Sequence, residues 1–136
     1  MSGLLLDTCA VIWLGQQARI SRLAREAILE ALEDDAVFVS PFTAWELSLL
    51  VARGRLALST DVRAWFAQFA GQSGLRMADL STNILIESNR LPGQPPADPA
   101  DRIIISTARA MNLAVVTRDS RILDYGAAGH VREVAC

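Results

Sequence analysis

Short, wholly apolar runs alternate along the chain with longer stretches in which apolar residues recur every three or four positions. Leu4-Leu5-Leu6 ends at Asp7, and Ala36-Val37-Phe38-Val39 and Leu113-Ala114-Val115-Val116 repeat the pattern. Runs this short, with no polar alternation, predict strands covered on both faces, as in a parallel sheet. Residues 75–80 and 131–134 are weaker candidates of the same kind. Helical spacing fills 8–15, 21–33, 41–54, 61–74, 81–90 and 99–112, with Ser21 and Asp61 placed as N-caps. The last segment, 119–136, predicts a short helix ending near Gly126 and then a final strand. Alternation of this kind predicts an α/β fold, a three-layer α/β/α sandwich around a mostly parallel central sheet.

The 136 residues suit one domain with one continuous fold. Pro92-Gly93-Gln94-Pro95-Pro96 is the one low-complexity stretch; it reads as a rigid surface connector, since the chain after it completes the sheet. The hydrophobic share of 51% and mean hydropathy of +0.27 are high, yet no apolar run approaches the ~20 residues that cross a bilayer. The surplus apolar surface points to a protein partner. The start of the chain lacks the basic segment and small-residue cleavage site of a secretory signal, so a cytoplasmic location is expected. Cys9 and Cys136 stand at opposite ends without a CxxC spacing, which gives no support to a disulfide framework or a thiolate zinc site. Cys9 reads as a small core residue.

Net charge is −2, so any contact with phosphate must be local and not the work of a basic face. All 13 basic residues are arginine. That excludes a Walker A loop, and it also excludes receiver-type and haloacid-dehalogenase-type phosphate chemistry, which place an aspartate after a first strand but also use a lysine. His130 is the only histidine. Imidazole zinc sites and a Ser-His-Asp triad therefore have little to build on.

What remains is acidic. In open α/β sheets ligands bind beyond the carboxyl ends of the strands. Asp7 ends the first strand, Asp119 follows a later one by two residues, Asp101 opens the helix that feeds that strand, and Glu46 lies in the second turn of the helix after Val39. Carboxylates gathered there repel one another and need protons or cations. Mg²⁺ or Mn²⁺ is the natural cofactor: these hard ions take oxygen ligands, and in pairs about 3.5–4 Å apart they stabilise both oxygens of an in-line phosphoryl displacement. Pro99 suits the first helical position, which makes Asp98 the N-cap and Asp101 the third residue of the helix. Asp98 is thus read as a cap, with a place among the ligands left open. Arg102, Arg118 and Arg121 flank the acidic set and could hold phosphates, although a solvated arginine is the default for each.

The ordered segments LLLDT at 4–8, AWEL at 44–47, DPADRIIISTARAMNLAVVTRD at 98–119 and the following RILDYG resemble a PIN domain of the VapC type over nearly the whole chain. The resemblance implies a metal-dependent ribonuclease with Asp7, Glu46, Asp101 and Asp119 as ligands, acting as the toxin of a type II toxin–antitoxin pair. It implies products with 5′-phosphate and 3′-hydroxyl ends, and it matches Thr8 and Thr117 to hydroxyls that steady metal-bound water. It also implies a cognate antitoxin whose C-terminal segment wraps the toxin and blocks the site. Two positions depart from many relatives, which carry histidine where this chain has Pro96-Ala97 and Cys9. Neither replaces a carboxylate.

Trp45, Leu49, Trp65 and Phe69 load two successive helices with apolar bulk. They are the candidates for a groove holding a partner helix, or for a homodimer face. The competing reading of the whole chain is a catalytically silent module of the same fold that binds RNA or protein without cutting. A DNA-cutting nuclease is a third.

Overall fold

The computed structural model describes residues 3–136. Met1 and Ser2, the start of the segment read above for a secretory signal, lie outside the described residues. Within that span no helix is long and apolar enough to cross a membrane.

Five parallel strands form one sheet: β1 (Leu4–Leu6), β2 (Val37–Val39), β3 (Leu75–Met77), β4 (Ala114–Thr117) and β5 (Arg132–Ala135), in the order β3-β2-β1-β4-β5. Leu4, Leu5 and Leu6 pair with Val37, Phe38 and Val39 on one side and with Ala114, Val115 and Val116 on the other. β1 is therefore central, and its all-leucine composition follows from being covered above, below and at both sides.

Successive strand residues face opposite ways, so the sheet builds two cores. Leu4, Leu6, Val37, Val39 and Val116 pack beneath Val11, Ile28, Leu47, Trp65 and Phe69. Leu5 and Val115 face Ile104, Ile105, Ala108, Ile122 and Tyr125. The first core is roofed by α1 (Thr8–Gly15), α2 (Arg22–Glu33), α3 (Pro41–Ala52) and α4 (Val62–Ala70); the second lies against α6 (Pro99–Met111) and α7 (Ser120–Ala127). The short α5 (Thr82–Glu87) packs on α6. The expected three-layer α/β/α sandwich is present, and the sheet is parallel throughout the described residues.

Local chemistry sets the boundaries. Ser21 caps α2 by accepting from the Ala24 N–H at 3.1 Å, and Asp61 caps α4 through the Arg63 N–H at 3.0 Å. The predicted helix over 61–74 ends early: the Gly71 N–H closes it, and Gly74, at φ +89°, turns the chain into β3. The helix over 81–90 shortens to α5 because its last residues bond three positions back (Asn89 to Ile86, Arg90 to Glu87), a tightening that ends helices. The strand expected over 75–80 lasts three residues before the chain leaves the sheet after Ala78.

Candidate active site

The chain runs from β1 outward to β2 and β3, then returns to place β4 and β5 on the other side of β1. The reversal lies between β1 and β4, and in open sheets of this kind ligands bind beyond the carboxyl ends of the strands at such a point. Asp7 is the first residue past β1. It caps α1, its Oδ1 accepting from the Ala10 N–H at 2.7 Å, while its Oδ2 accepts from the Thr117 hydroxyl at 2.5 Å. Thr117 ends β4, and its oxygen in turn accepts from the Asp119 N–H at 3.0 Å. A single hydroxyl thus ties the two aspartates to the two central strands.

Glu46 reaches the same edge from α3. Its Oε1 accepts from the Thr8 hydroxyl at 2.5 Å, and Thr8 Oγ1 stands 3.2 Å from Thr43 Oγ1. A hydroxyl carries one proton, and Thr8 gives its own to Glu46, so Thr43 is the donor to Thr8. Asp101 lies in the first turn of α6. Its Oδ2 is enclosed without a hydrogen-bond partner, and the nearest guanidinium nitrogen, on Arg121, is 3.7 Å away. That distance is too long for a hydrogen bond. Arg121 is instead engaged with Asp119, Nη2 lying 3.1 Å from Oδ2 and Nε 3.3 Å from Oδ1.

These environments leave the carboxylates unequal. Burial raises Asp7 above the usual carboxylate range against the hydrogen bonds from Thr117 and Ala10, and Asp119 adds repulsion. Burial likewise raises Glu46, opposed by Thr8 and reinforced by Asp98 and Asp7. Asp101 is pushed up to about 7 by burial and by the charges of Asp119, Asp98 and Glu46, with Arg121 pulling the other way. Asp119 moves in the opposite direction: burial would raise it, but the hydrogen bonds and charge of Arg121 win and hold it low. The Cys9 thiol is pushed up to about 11, first by desolvation and then by Asp7, Glu46, Asp119 and Asp101 together. All four acids therefore act on one point.

The donor set is oxygen only and strongly anionic, with a buried carboxylate oxygen left unpartnered. It fits a hard divalent cation and not zinc. In the arrangement described, no three His, Cys, Asp or Glu side chains among the described residues are gathered closely enough to hold an ion jointly. The positive charge nearest Asp101 and Asp119 is Arg121.

The other expected residues separate. Asp98 is exposed and caps α6, accepting from the Ala100 N–H at 3.0 Å. Arg102 donates to the Pro96 carbonyl at 2.6 Å. Arg118 lies 3.7 Å over the Trp13 ring and donates to the Cys136 and Arg19 carbonyls. Of the three arginines, only Arg121 touches the acidic set. Cys9 is exposed, not a core residue, because its place in the first turn of α1 faces the acidic edge while Ala10 and Val11 take the core positions. Trp65 and Phe69, expected to line a groove, are buried at 8% and 6% exposure, stacked 5.7 Å apart. Gly15 makes room for the indole: a Cβ there would stand 2.3 Å from the Trp65 ring. Trp45 is 55% exposed and stacks on Phe42, while Leu49 is half-buried.

Two features escaped the sequence reading. Thr43 is fully buried behind Thr8, and its signal was available in its position three residues before Glu46 on one helical face. The pairing of Arg121 with Asp119 and Asp101 had no such signal.

Comparison with protein families matches residues 4–128 to the PIN domain. Ribonuclease VapC22 of Mycobacterium tuberculosis is 32% identical over 126 residues, 92% of this chain and 93% of that protein. Among solved structures, VapBC2 from Rickettsia felis, bound to a DNA fragment from its promoter, superposes with a TM-score of 0.70 at 14% identity, covering 97% of each chain. FitAcB from Neisseria gonorrhoeae gives 0.58 at 24% identity, covering 96% of this chain and 95% of that one. A toxin–antitoxin complex from Klebsiella pneumoniae gives 0.57 at 22% identity, covering 88% of each. These structural likenesses speak for the fold.

Proposed function

The chain belongs to the PIN-domain family, and on that premise we propose that it is a divalent-metal-dependent endoribonuclease, the toxin half of a type II toxin–antitoxin pair. The observation that carries the reading is the Asp101 Oδ2 atom, buried without a hydrogen-bond partner among other carboxylates. A carboxylate oxygen enclosed without a hydrogen bond is costly unless a cation meets it, and perturbed carboxylates of this kind cluster at functional sites.

Asp7, Glu46, Asp101 and Asp119 would hold Mg²⁺ or Mn²⁺. A bound divalent cation supplies positive charge for the phosphodiester oxygens and lowers the pKa of water, so that hydrolysis proceeds at neutral pH. The chain's own part is to fix the ligands before substrate arrives. Thr117 orients Asp7 and the Asp119 backbone with one hydroxyl, and Thr43 steadies Thr8, which steadies Glu46. Preorganisation of this kind removes the reorganisation that free carboxylates would undergo at the moment of reaction. Asp98 acts as the helix cap that aims Asp101 inward.

The relative VapC22, a ribonuclease by name, supports RNA as substrate, and the shared fold with the Klebsiella pneumoniae chain, described as a toxin–antitoxin complex, is in keeping with an antitoxin as partner. The exposed Trp45, stacked on half-buried Phe42, and Val51 on α3 offer an apolar surface to the antitoxin or to a second copy in a homodimer. A cytoplasmic location, where such a toxin would meet RNA, is part of this proposal.

The silent-module reading is favoured by one observation, the guanidinium of Arg121 that lies against Asp119 and Asp101 and meets part of their charge from within the chain. Purified, partner-free protein incubated with structured RNA and with DNA, in Mg²⁺, Mn²⁺ or EDTA, decides. Cleavage of RNA that requires the metal and leaves 5′-phosphate ends is expected. No cleavage in either metal, by folded protein, sinks the enzyme reading in favour of the module; preference for DNA moves the substrate class.

A further inference from the structure

We propose that Arg121 is a tethered counter-ion that competes with the divalent metal, so that loading of the site requires the guanidinium to leave Asp119 and Asp101. The inference rests on the metal-dependent reading above and adds a residue that sets how readily the site fills.

The geometry is specific. Arg121 spans both aspartates, with Nη2 3.1 Å from Asp119 Oδ2 and 3.7 Å from Asp101 Oδ2, and its Nε faces Asp119 Oδ1. The two acids come from different elements, Asp101 in α6 and Asp119 at the cap of α7, so the guanidinium neutralises a pair that no single helix would bring together. Arg121 engages both Asp119 oxygens, Nε on Oδ1 and Nη2 on Oδ2, so a metal ion approaching either oxygen from the side the guanidinium occupies has to displace it there. Arg121 itself is free to move. Its side chain is 61% exposed, and no other part of the protein grips it apart from these acids.

An alternative resting place lies one turn along. Arg121 and Asp124 line the same cavity, of about 540 Å³, with Gln94, Pro96 and His130. Asp124 is exposed and three residues further on α7, a spacing at which helical side chains meet. A guanidinium leaving the site can therefore exchange Asp119 for Asp124 without unfolding anything. The pairing offsets the repulsion between Asp101 and Asp119 before metal arrives, and the exchange makes the metal affinity depend on one exposed side chain.

Two measurements on the full chain test this, with Mg²⁺ or Mn²⁺ alone as probe and no RNA present. Calorimetric titration should show Arg121→Gln binding Mn²⁺ more tightly than the parent by roughly two- to fivefold, the factor an exposed ion pair is worth. Removing a nearby positive charge would tighten binding to some degree without any exchange. The second readout is therefore the Arg121 Nε–H resonance, assigned by its loss in Arg121→Gln and followed during Mg²⁺ titration. Its hydrogen exchange with water should accelerate with the same midpoint as the calorimetric curve. Mg²⁺ binding that leaves this proton's exchange unchanged, or Mn²⁺ affinity that falls in Arg121→Gln, overturns the proposal while leaving the metal site standing. Absence of any Mg²⁺ or Mn²⁺ binding to the parent protein overturns both.

Discussion

The two edges of the sheet are built from the same strands and treat their polar groups in opposite ways. At the amino-terminal edge of β4 and β5 lies the larger cavity, about 710 Å³, lined by Arg109, Asn112, His130, Arg132 and Glu133 among others. Its arginines are answered: Arg132 donates to the Asn112 carbonyl at 2.6 Å and side-chain oxygen at 3.0 Å, and Arg109 donates to the His130 carbonyl. The carboxyl-terminal edge carries four acids, three of them raised by burial, and one of those three, Asp101, has an enclosed oxygen without a hydrogen-bond partner. The proposed site is therefore marked by its enclosed, mutually repelling acids and not by the size of a cavity, since such groups are costly to keep without a cation to meet them.

The sharpest way to break this contrast is to remove charge from the acidic edge. Asp7→Asn and Asp101→Asn should each lower RNA cleavage by at least about a hundredfold, as expected for losing several kcal/mol of metal-held charge, with circular dichroism unchanged. Asp101→Asn should also raise the melting temperature of the metal-free protein at pH 8, since it relieves a buried charge. Full activity in either variant would detach that residue from the site.

Stability against pH separates the edges next. The Asp101 carboxyl sits near 7 in the folded protein against an ordinary 3.8, so between those values the folded state holds a proton that the unfolded chain has released. The stability this confers is complete below the unfolded value and is lost as pH rises through about 7. In EDTA, melting temperature should therefore fall from pH 5 to pH 8, and Asp101→Asn should flatten much of the slope. Arg132→Ala, at the other edge, should leave the slope as it is. A parent curve that rises over this range would contradict the burial of Asp101.

Smaller effects refine the picture. Asp98→Ala should cost about 0.5–2 kcal/mol by uncapping α6, whereas Asp98→Asn should keep both stability and most of the activity because asparagine caps as well as aspartate. Loss of cleavage in Asp98→Asn would move Asp98 into the metal site. Arg132→Ala should cost about 0.5–1 kcal/mol, the range of an exposed hydrogen-bonded charge, and should not touch activity; chemical denaturation and the RNA assay read the two quantities side by side.

Much of this was legible in the chain. Strand periodicity placed β1, β2 and β4, because residues buried on both faces leave no polar position to mistake, and the strand ends then located Asp7 and Asp119. Ser21, Asp61 and Pro99 fixed helix starts through their own cap chemistry. What the sequence left open was which apolar faces are covered. Trp45 and Trp65 look alike in a hydrophobic pattern, but Trp65 packs against the gap left by Gly15 and Trp45 meets solvent. Periodicity reports that a face is apolar and is silent on what lies over it. The Arg121 pairing was illegible for a related reason: an arginine two residues after an aspartate is ordinary, and its reach to Asp101 depends on the mutual placement of α6 and α7.

The account stands most directly on where the metal goes. Crystals of the partner-free protein soaked in Mn²⁺, with data collected for anomalous scattering, should show a peak among Asp7, Glu46, Asp101 and Asp119, and that peak should vanish in Asp101→Asn crystals. A protein that cleaves RNA in Mn²⁺ but places its anomalous peak elsewhere, in the larger cavity by Arg109 and Arg132 for instance, would contradict it.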